Sequence, residues 1–456
     1  KHDEGVREIR QILGTQSLPE SGIAPEKILD EAYQMLVEHS LFNGHPRFMG
    51  YITASPAPIS ALADLLAAAF NPNVGVWQLA PMATEIELQT VRWIAELIGF
   101  PSDCGGVLVS GGNMANFVGF LAGRKHKFPG DVRTEGTYAC DGKPRVYCSA
   151  ATHTWIQKAA DLFGLGTNAI RWIGVDQEQR MDPQALISQI ERDQAAGDIP
   201  LMVIGTAGSV STGTIDPLPK LAEICKKYDL WFHVDGAYGG FAACLPDAPE
   251  DLKGLSLADS VAIDPHKWLY QPLEAGCALV RDANIQVEAF SYHPVYYRFE
   301  DVAKEEIPVN LVDFGPQNSR GFRALKVWMS LRQAGRSGYQ SMLAEDIRLA
   351  QRLSQLAEEH PELQAQSCHL SITTFRFVPE GIDPEDKNNL ELLNELNGEL
   401  LTTLQRRGEM FVSNALIDDR FLLRACVVNF RTSMSDIEAI PEIVVRTGRE
   451  VFATMG

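Results

Sequence analysis

From Ile59 onward the chain alternates short apolar runs with longer helical stretches, and that alternation leaves few folds open to it. Strands are expected at Gly106 to Val109, Arg145 to Ser149, Ala169 to Ile173, Leu201 to Gly205, Trp231 to Val234, Ser260 to Ile263 and Gly276 to Val280. Helical segments such as Thr84 to Ile98, Asn113 to Arg124, Pro183 to Ala196 and Pro217 to Tyr228 separate them. Asp182-Pro183 and Asp216-Pro217 each offer a capping carboxylate followed by the proline that suits a first helical turn. The pattern predicts an α/β large domain over residues 59–333 with a mostly parallel, seven-stranded sheet. Residues 1–58 read as an N-terminal arm, with helical patterns at Gly5 to Leu13 and Ala24 to His39 and a Pro-rich stretch from His45 to Pro58. An arm of this kind is suited to wrapping a partner subunit. Beyond the large domain, long polar helices and scattered strands (Leu370 to Phe377, Phe421 to Asn429) predict a smaller C-terminal α+β domain over 334–456.

Composition narrows the function classes. A net charge of −19 disfavours nucleic acid and anionic membrane as partners. No apolar run approaches the roughly eighteen residues of a membrane span. Eight cysteines (Cys104, Cys140, Cys148, Cys225, Cys244, Cys277, Cys368, Cys426) are scattered without a Cys-x-x-Cys pair, unlike a zinc site or a disulfide scaffold. Most sit among apolar neighbours, so a reducing, cytoplasmic setting is expected.

Chemistry-bearing residues cluster just past the expected strand ends, where parallel sheets bind ligands. Asp264-Pro265-His266-Lys267-Trp268 delivers a lysine from the apolar run Ser260 to Ile263. A lysine carried into a protein interior loses water, which favours nucleophilic amine chemistry and Schiff-base formation. Upstream, His233-Val234-Asp235-Gly236-Ala237-Tyr238-Gly239-Gly240 ends another strand with a carboxylate. A lysine and an aspartate at neighbouring strand ends are the protein half of a pyridoxal 5′-phosphate site, Lys for the aldehyde and Asp for the pyridine nitrogen. Ser110-Gly111-Gly112-Asn113 opens a helix after a strand; glycines admit an anion to free N–H groups, which suits a phosphate. His153 follows a third strand and could lie on a cofactor ring or move a proton, and Ala237 is small enough for the opposite ring face. The hydroxyl of Thr206 or Ser209 could reach the same place. His233, Asp235 and His266 could instead be proposed as metal ligands, but that reading lacks a His-x-x-x-His pair and leaves Lys267 unexplained.

Together these stretches resemble the group II pyridoxal-phosphate-dependent amino-acid decarboxylases, over about His45 to Trp328 with a weaker echo at Phe421 to Arg431. The resemblance implies a fold type I, aspartate-aminotransferase-like architecture, a homodimer with its active site at the interface, and pyridoxal 5′-phosphate as cofactor. It implies Lys267 as the Schiff-base lysine, Asp235 as the pyridinium partner, His153 as the stacking histidine and Ala237 its counterpart. Gly112, Asn113 and His266 fall where the family binds phosphate, and Thr206 where it contacts the cofactor. Tyr51 and Trp77 would help form the substrate pocket. The implied reaction is decarboxylation of an L-amino acid, with Phe48, Tyr51 and Trp77 suiting an aromatic side chain and Arg47 the nearby cation for an acidic one. A non-catalytic cofactor-binding protein is the alternative from another class; retaining Lys267, Asp235 and His153 together argues against it.

Two departures stand out. Many members have Asn where this chain has Asp264. The family also protonates the carbanion with a loop tyrosine, and gapless alignment back from Arg320-Gly321-Phe322-Arg323 puts Leu311 there. Either Tyr296 or Tyr297 serves in an offset loop, or His153 protonates through water, or the product is an aldehyde, as in the related aldehyde synthases.

Overall fold

A computed structural model describes residues 5–292 and 308–455. Seven strands form one sheet: β1 (Gly105–Val109), β2 (Pro144–Ser149), β3 (Ile170–Ile173), β4 (Ile199–Thr206), β5 (Trp231–Asp235), β6 (Ser260–Ile263) and β7 (Gly276–Val280). Their order is β1-β7-β6-β5-β4-β2-β3. Pairings from β3 across to β6 are parallel, while β7 runs antiparallel to both β6 and β1. The exception has a local cause. The chain leaves β6 through a single helical turn, Pro265–Trp268, with no crossover helix, so it re-enters the sheet from the edge it just left. Elsewhere crossover helices cover both faces, and strands such as β1 and β5 are buried along their whole length.

Asp182 caps the helix Pro183–Ala195 as expected, accepting N–H bonds from Gln184 (2.7 Å) and Ala185 (3.3 Å). Asp216 does not cap its helix. Its oxygens accept the backbone N–H groups of Met181 (2.7 Å) and Thr206 (2.8 Å), and the helix Leu218–Tyr228 starts without a side-chain cap. The carboxylate instead ties the end of β4 in place.

The chain divides into two compact units, one of residues 54–346 and one combining 1–53 with 347–456, where the sequence pattern set boundaries after 58 and 333. The long helix Ala324–Glu359, interrupted at Gly335 (φ 64°), runs through the later division. The second unit holds a four-stranded antiparallel sheet, β8 (Leu363–His369), β9 (Ile372–Phe377), β10 (Ser413–Ile417) and β11 (Arg420–Cys426), in the order β10-β11-β9-β8. Phe375, Phe377, Leu396, Leu400 and Val444 form its core with buried Met49. Part of the expected arm therefore belongs here: Phe48 stacks on Phe411 (5.0 Å between ring centres), and Met49 N–H bonds to the Phe411 carbonyl (2.7 Å). The preceding helices, Val6–Leu13 and Pro25–His39, bury no residue. Among the described residues no helix is long and apolar enough to cross a membrane.

Candidate active site

The carboxyl ends of β1, β2, β4, β5 and β6 meet at one edge of the large sheet, around a cavity of about 140 Å³. Gly112, Asn113, His153, Thr206, Asp235, Ala237 and Lys267 all line it, so the structure brings together seven residues from five separate segments of the sequence. Lys267 arrives on the turn after β6. The next residue, Trp268, is fully buried, stacks on Tyr238 (4.9 Å) and donates its indole N–H to Asp346 (2.9 Å). That anchor leaves Lys267 facing the cavity, with Nζ 3.3 Å from Asp264 Oδ2.

Asp235 ends β5 and is buried with both oxygens occupied. Trp155 Nε1 donates to Oδ2 (2.8 Å) and the backbone N–H of Ala237 to Oδ1 (3.1 Å). Neutral donors on both sides fix the carboxylate's orientation without neutralising its charge.

The turn after β1 depends on glycine. Gly111 sits at φ 89°, in the left-handed region, and a Cβ on Gly112 would stand 2.6 Å from Asp264 Oδ2. Beneath the first helical turn, Asn116 donates to the Gly112 carbonyl (2.9 Å) and accepts from His233 Nε2 (2.8 Å). Nε2 therefore carries the proton, and Ser260 Oγ, which accepts the Trp231 indole N–H, donates to Nδ1. Burial lowers the His233 pKa to about 4, with Asp235 opposing, so the ring is neutral. Both nitrogens of His233 are thus spent on structure, and among the described residues no group of His, Cys, Asp or Glu is arranged to hold a metal ion.

Thr206 and Ser209 now separate. Ser209 Oγ bonds to Thr212 Oγ1 (2.7 Å), while Thr206 Oγ1 is buried on the cavity wall with no partner. Asp216, holding the Thr206 N–H, has its carboxyl pushed up to about 6 by burial. His153 accepts the Trp155 backbone N–H at Nδ1 (3.3 Å), which leaves the proton on Nε2. Desolvation lowers its pKa, Asp235 opposing and Lys267 reinforcing. His266 does not line the cavity as the others do. Its Nδ1 donates to the Ala275 carbonyl (2.7 Å), and its ring backs Gly111 and Asp264.

The expected substrate residues are not brought to the cavity wall. Trp77 is half-buried in a short turn and donates its indole N–H to Glu85 (3.0 Å). Tyr51, exposed beside Phe411, belongs to the other unit, as do Arg47 and Phe48. Leu311 is fully buried with Val74, Ala80 and Ala83, a core position and no place for a proton donor. Tyr296 and Tyr297 lie outside the described residues. Sequence reasoning missed Trp155 and Asn116; Thr154-Trp155 follows His153 directly, but nothing local announces that an indole will reach Asp235.

The family model described as the pyridoxal-dependent decarboxylase conserved domain matches residues 10–377. The chain belongs to this family. It is 30% identical to an aromatic-L-amino-acid decarboxylase of Bacillus atrophaeus, over 96% of this chain and 88% of the relative. Among solved structures, mouse CSAD superposes with a TM-score of 0.91 at 26% identity, covering 98% of this chain and 92% of that one. Oryza sativa TDC with PLP and tryptamine gives 0.89 at 25%, with the same coverage. The protein is thus a pyridoxal-phosphate-dependent carboxy-lyase of fold type I. The cavity suits the cofactor on its own evidence. It has a primary amine, a fixed carboxylate, a glycine-opened helix N-terminus, and two buried polar atoms without partners, Thr206 Oγ1 and Asp264 Oδ1, for a polar ligand to satisfy.

Proposed function

We propose that this decarboxylase converts an aromatic L-amino acid to its amine and carbon dioxide, with Lys267 as the covalent anchor of the cofactor aldehyde. The observation that carries the reading is the convergence of Lys267, Asp235 and the Gly111–Gly112 turn on one cavity. Pyridoxal phosphate, when bound, withdraws through its protonated ring the electron pair left at the α-carbon as carbon dioxide departs. Asp235, held in a fixed orientation, would keep that ring nitrogen protonated. Gly112 and Asn113 would offer N–H groups to the phosphate and Thr206 its hydroxyl, with His266 behind the turn. His153 and Ala237 line the cavity that would take the ring, and His153 carries a proton on Nε2 that it could give up there.

The aromatic preference draws on the Bacillus relative and on a cavity whose described walls contain no arginine to pair with an acidic side chain. Tyr51 and Trp77 would contribute to substrate binding. Leu62, Leu65 and Phe70, large apolar side chains exposed on the helix Pro58–Phe70, support a homodimer that would cover them. Buried free thiols at Cys148, Cys225 and Cys277 support a reducing, cytoplasmic setting.

A second reading follows from Leu311. With that position in the core, the amino acid could instead react with dioxygen and water, giving an aldehyde, carbon dioxide, ammonia and hydrogen peroxide. The test is to incubate cofactor-loaded protein with single L-amino acids in air and identify products by mass spectrometry. Aromatic amines support the first reading and aromatic aldehydes the second. Turnover of acidic amino acids alone would overturn both.

A further inference from the structure

Asp264 is a carboxylate only 1% exposed, and its charge is balanced from one side alone. Oδ2 lies 3.3 Å from Lys267 Nζ and 3.6 Å from His266 Nε2, while Oδ1 has no hydrogen-bond partner. His266 adds little positive charge. Its Nδ1 is committed to the Ala275 carbonyl, and burial lowers its pKa, so its Nε2 is unprotonated near neutral pH. Cys277, facing from β7, is a buried thiol with a strongly raised pKa and is neutral. From beyond β2 His153, also lowered by desolvation, faces the same carboxylate, and Asp235 stands on the cavity wall with it. The remaining side is the N-terminus of the helix Gly112–Lys127, packed so closely that a Cβ on Gly112 would stand 2.6 Å from Oδ2. Lys267 is therefore the ion-pair partner of Asp264.

Cofactor capture disturbs this balance twice, on the reading above of Lys267 as the aldehyde anchor and the Gly112 turn as the phosphate cradle. Lys267 would be drawn to the aldehyde, two of its N–H protons leaving with the aldehyde oxygen as water and one staying on nitrogen, so that its charge moves away from Asp264 with no net proton released. At the same time a phosphate of up to two negative charges arrives at the helix end that Asp264 touches. Two anions so close in a buried site do not both stay ionised.

We propose that Asp264 couples capture of pyridoxal phosphate to the uptake of one proton. The proton comes from water or buffer, one O–H bond forms, and no electrons change hands. The proton belongs to the cluster of Asp264, His266 and phosphate as a whole. Cofactor affinity then weakens as pH rises. An asparagine here supplies a neutral N–H donor and no such dependence.

The experiment is titration of cofactor-free wild type and Asp264→Asn with pyridoxal phosphate, followed by absorbance, across about pH 6.5 to 9. The wild-type Kd is expected to rise about tenfold more per pH unit than that of the variant, the slope of one linked proton. Parallel curves would overturn the proposal. Should the variant not fold, calorimetry on wild type in two buffers of different ionisation enthalpy decides. Near pH 8, pyridoxal phosphate should take up about one proton more than pyridoxal, which lacks the phosphate; equal counts overturn the proposal. Failure of the underlying reading shows separately: Lys267→Ala protein still labelled by cofactor and borohydride would remove Lys267 as the anchor, whatever the slopes.

Discussion

Asp235 at the end of β5 and Asp264 at the end of β6 are both buried carboxylates on neighbouring strands, yet they are built for opposite purposes. Asp235 has a neutral donor on each oxygen, from Trp155 and from the Ala237 backbone, so it keeps its orientation. Asp264 leans on a lysine at 3.3 Å and leaves an oxygen bare. Burial alone does not assign a role to a carboxylate. A cage of neutral donors makes an anchor, while a single mobile counter-ion leaves a group that must respond when that ion is engaged elsewhere.

The contrast breaks most visibly at Asp235. Asp235→Asn keeps the hydrogen-bonding shape but removes the charge, and should lower kcat by about a hundredfold or more, the scale of losing one preorganised electrostatic contact in a closed site. Steady-state kinetics on cofactor-saturated protein measures it, and near-normal turnover would remove Asp235 from the chemistry. Trp155→Phe tests the cage rather than the charge. Losing one hydrogen bond to a charged group should weaken pyridoxal phosphate binding by about tenfold while the pH slope at Asp264 stays as in wild type. A change in that slope would show that the two carboxylates are not independent.

The smallest effect concerns stability and lies behind the cavity. His233 titrates near 4 in the folded chain against 6.5 when exposed, so folding loses stability as pH falls from 6.5 through about 4. Asp216 is raised from 3.8 to about 6, so its contribution is present below 3.8 and is lost as pH rises through about 6. The two oppose each other over an overlapping window. Replacing His233 by Gln should expose the Asp216 slope. Stability of the cofactor-free protein should then fall between about pH 4 and pH 6, by at most ~1.4 kcal/mol for each pH unit, the slope of one proton. Urea unfolding at several pH values measures this, and a flat profile in the variant would contradict a protonated Asp216.

Much of the site was legible because its signals are local. A glycine pair after an apolar run and Asp-Pro-His-Lys-Trp after another are dictated by what a phosphate and an amine need within a few residues. The strands from β1 to β7 were likewise visible as apolar runs, with ends differing by a residue or two. The misses have a common cause. Asp216-Pro217 has the letters of a helix start, but the carboxylate found better donors on Met181 and Thr206. Leu311 took the place of a catalytic tyrosine in a gapless alignment and proved to be core. Phe48 looked like part of an arm or a substrate wall until Phe411, far along the chain, stacked on it.

The sequence by itself determined the element types, the mostly parallel character of the sheet and the chemical inventory of Lys267, Asp235, His153 and the Gly111–Gly112 turn, because hydrophobic period and backbone freedom act over short spans. Tertiary structure alone decided how each charge is compensated. Trp155 on Asp235 and Asn116 on His233 are contacts between side chains far apart in the chain, and electrostatics inside a protein depends on distance in space and on burial, neither of which a linear order of residues contains.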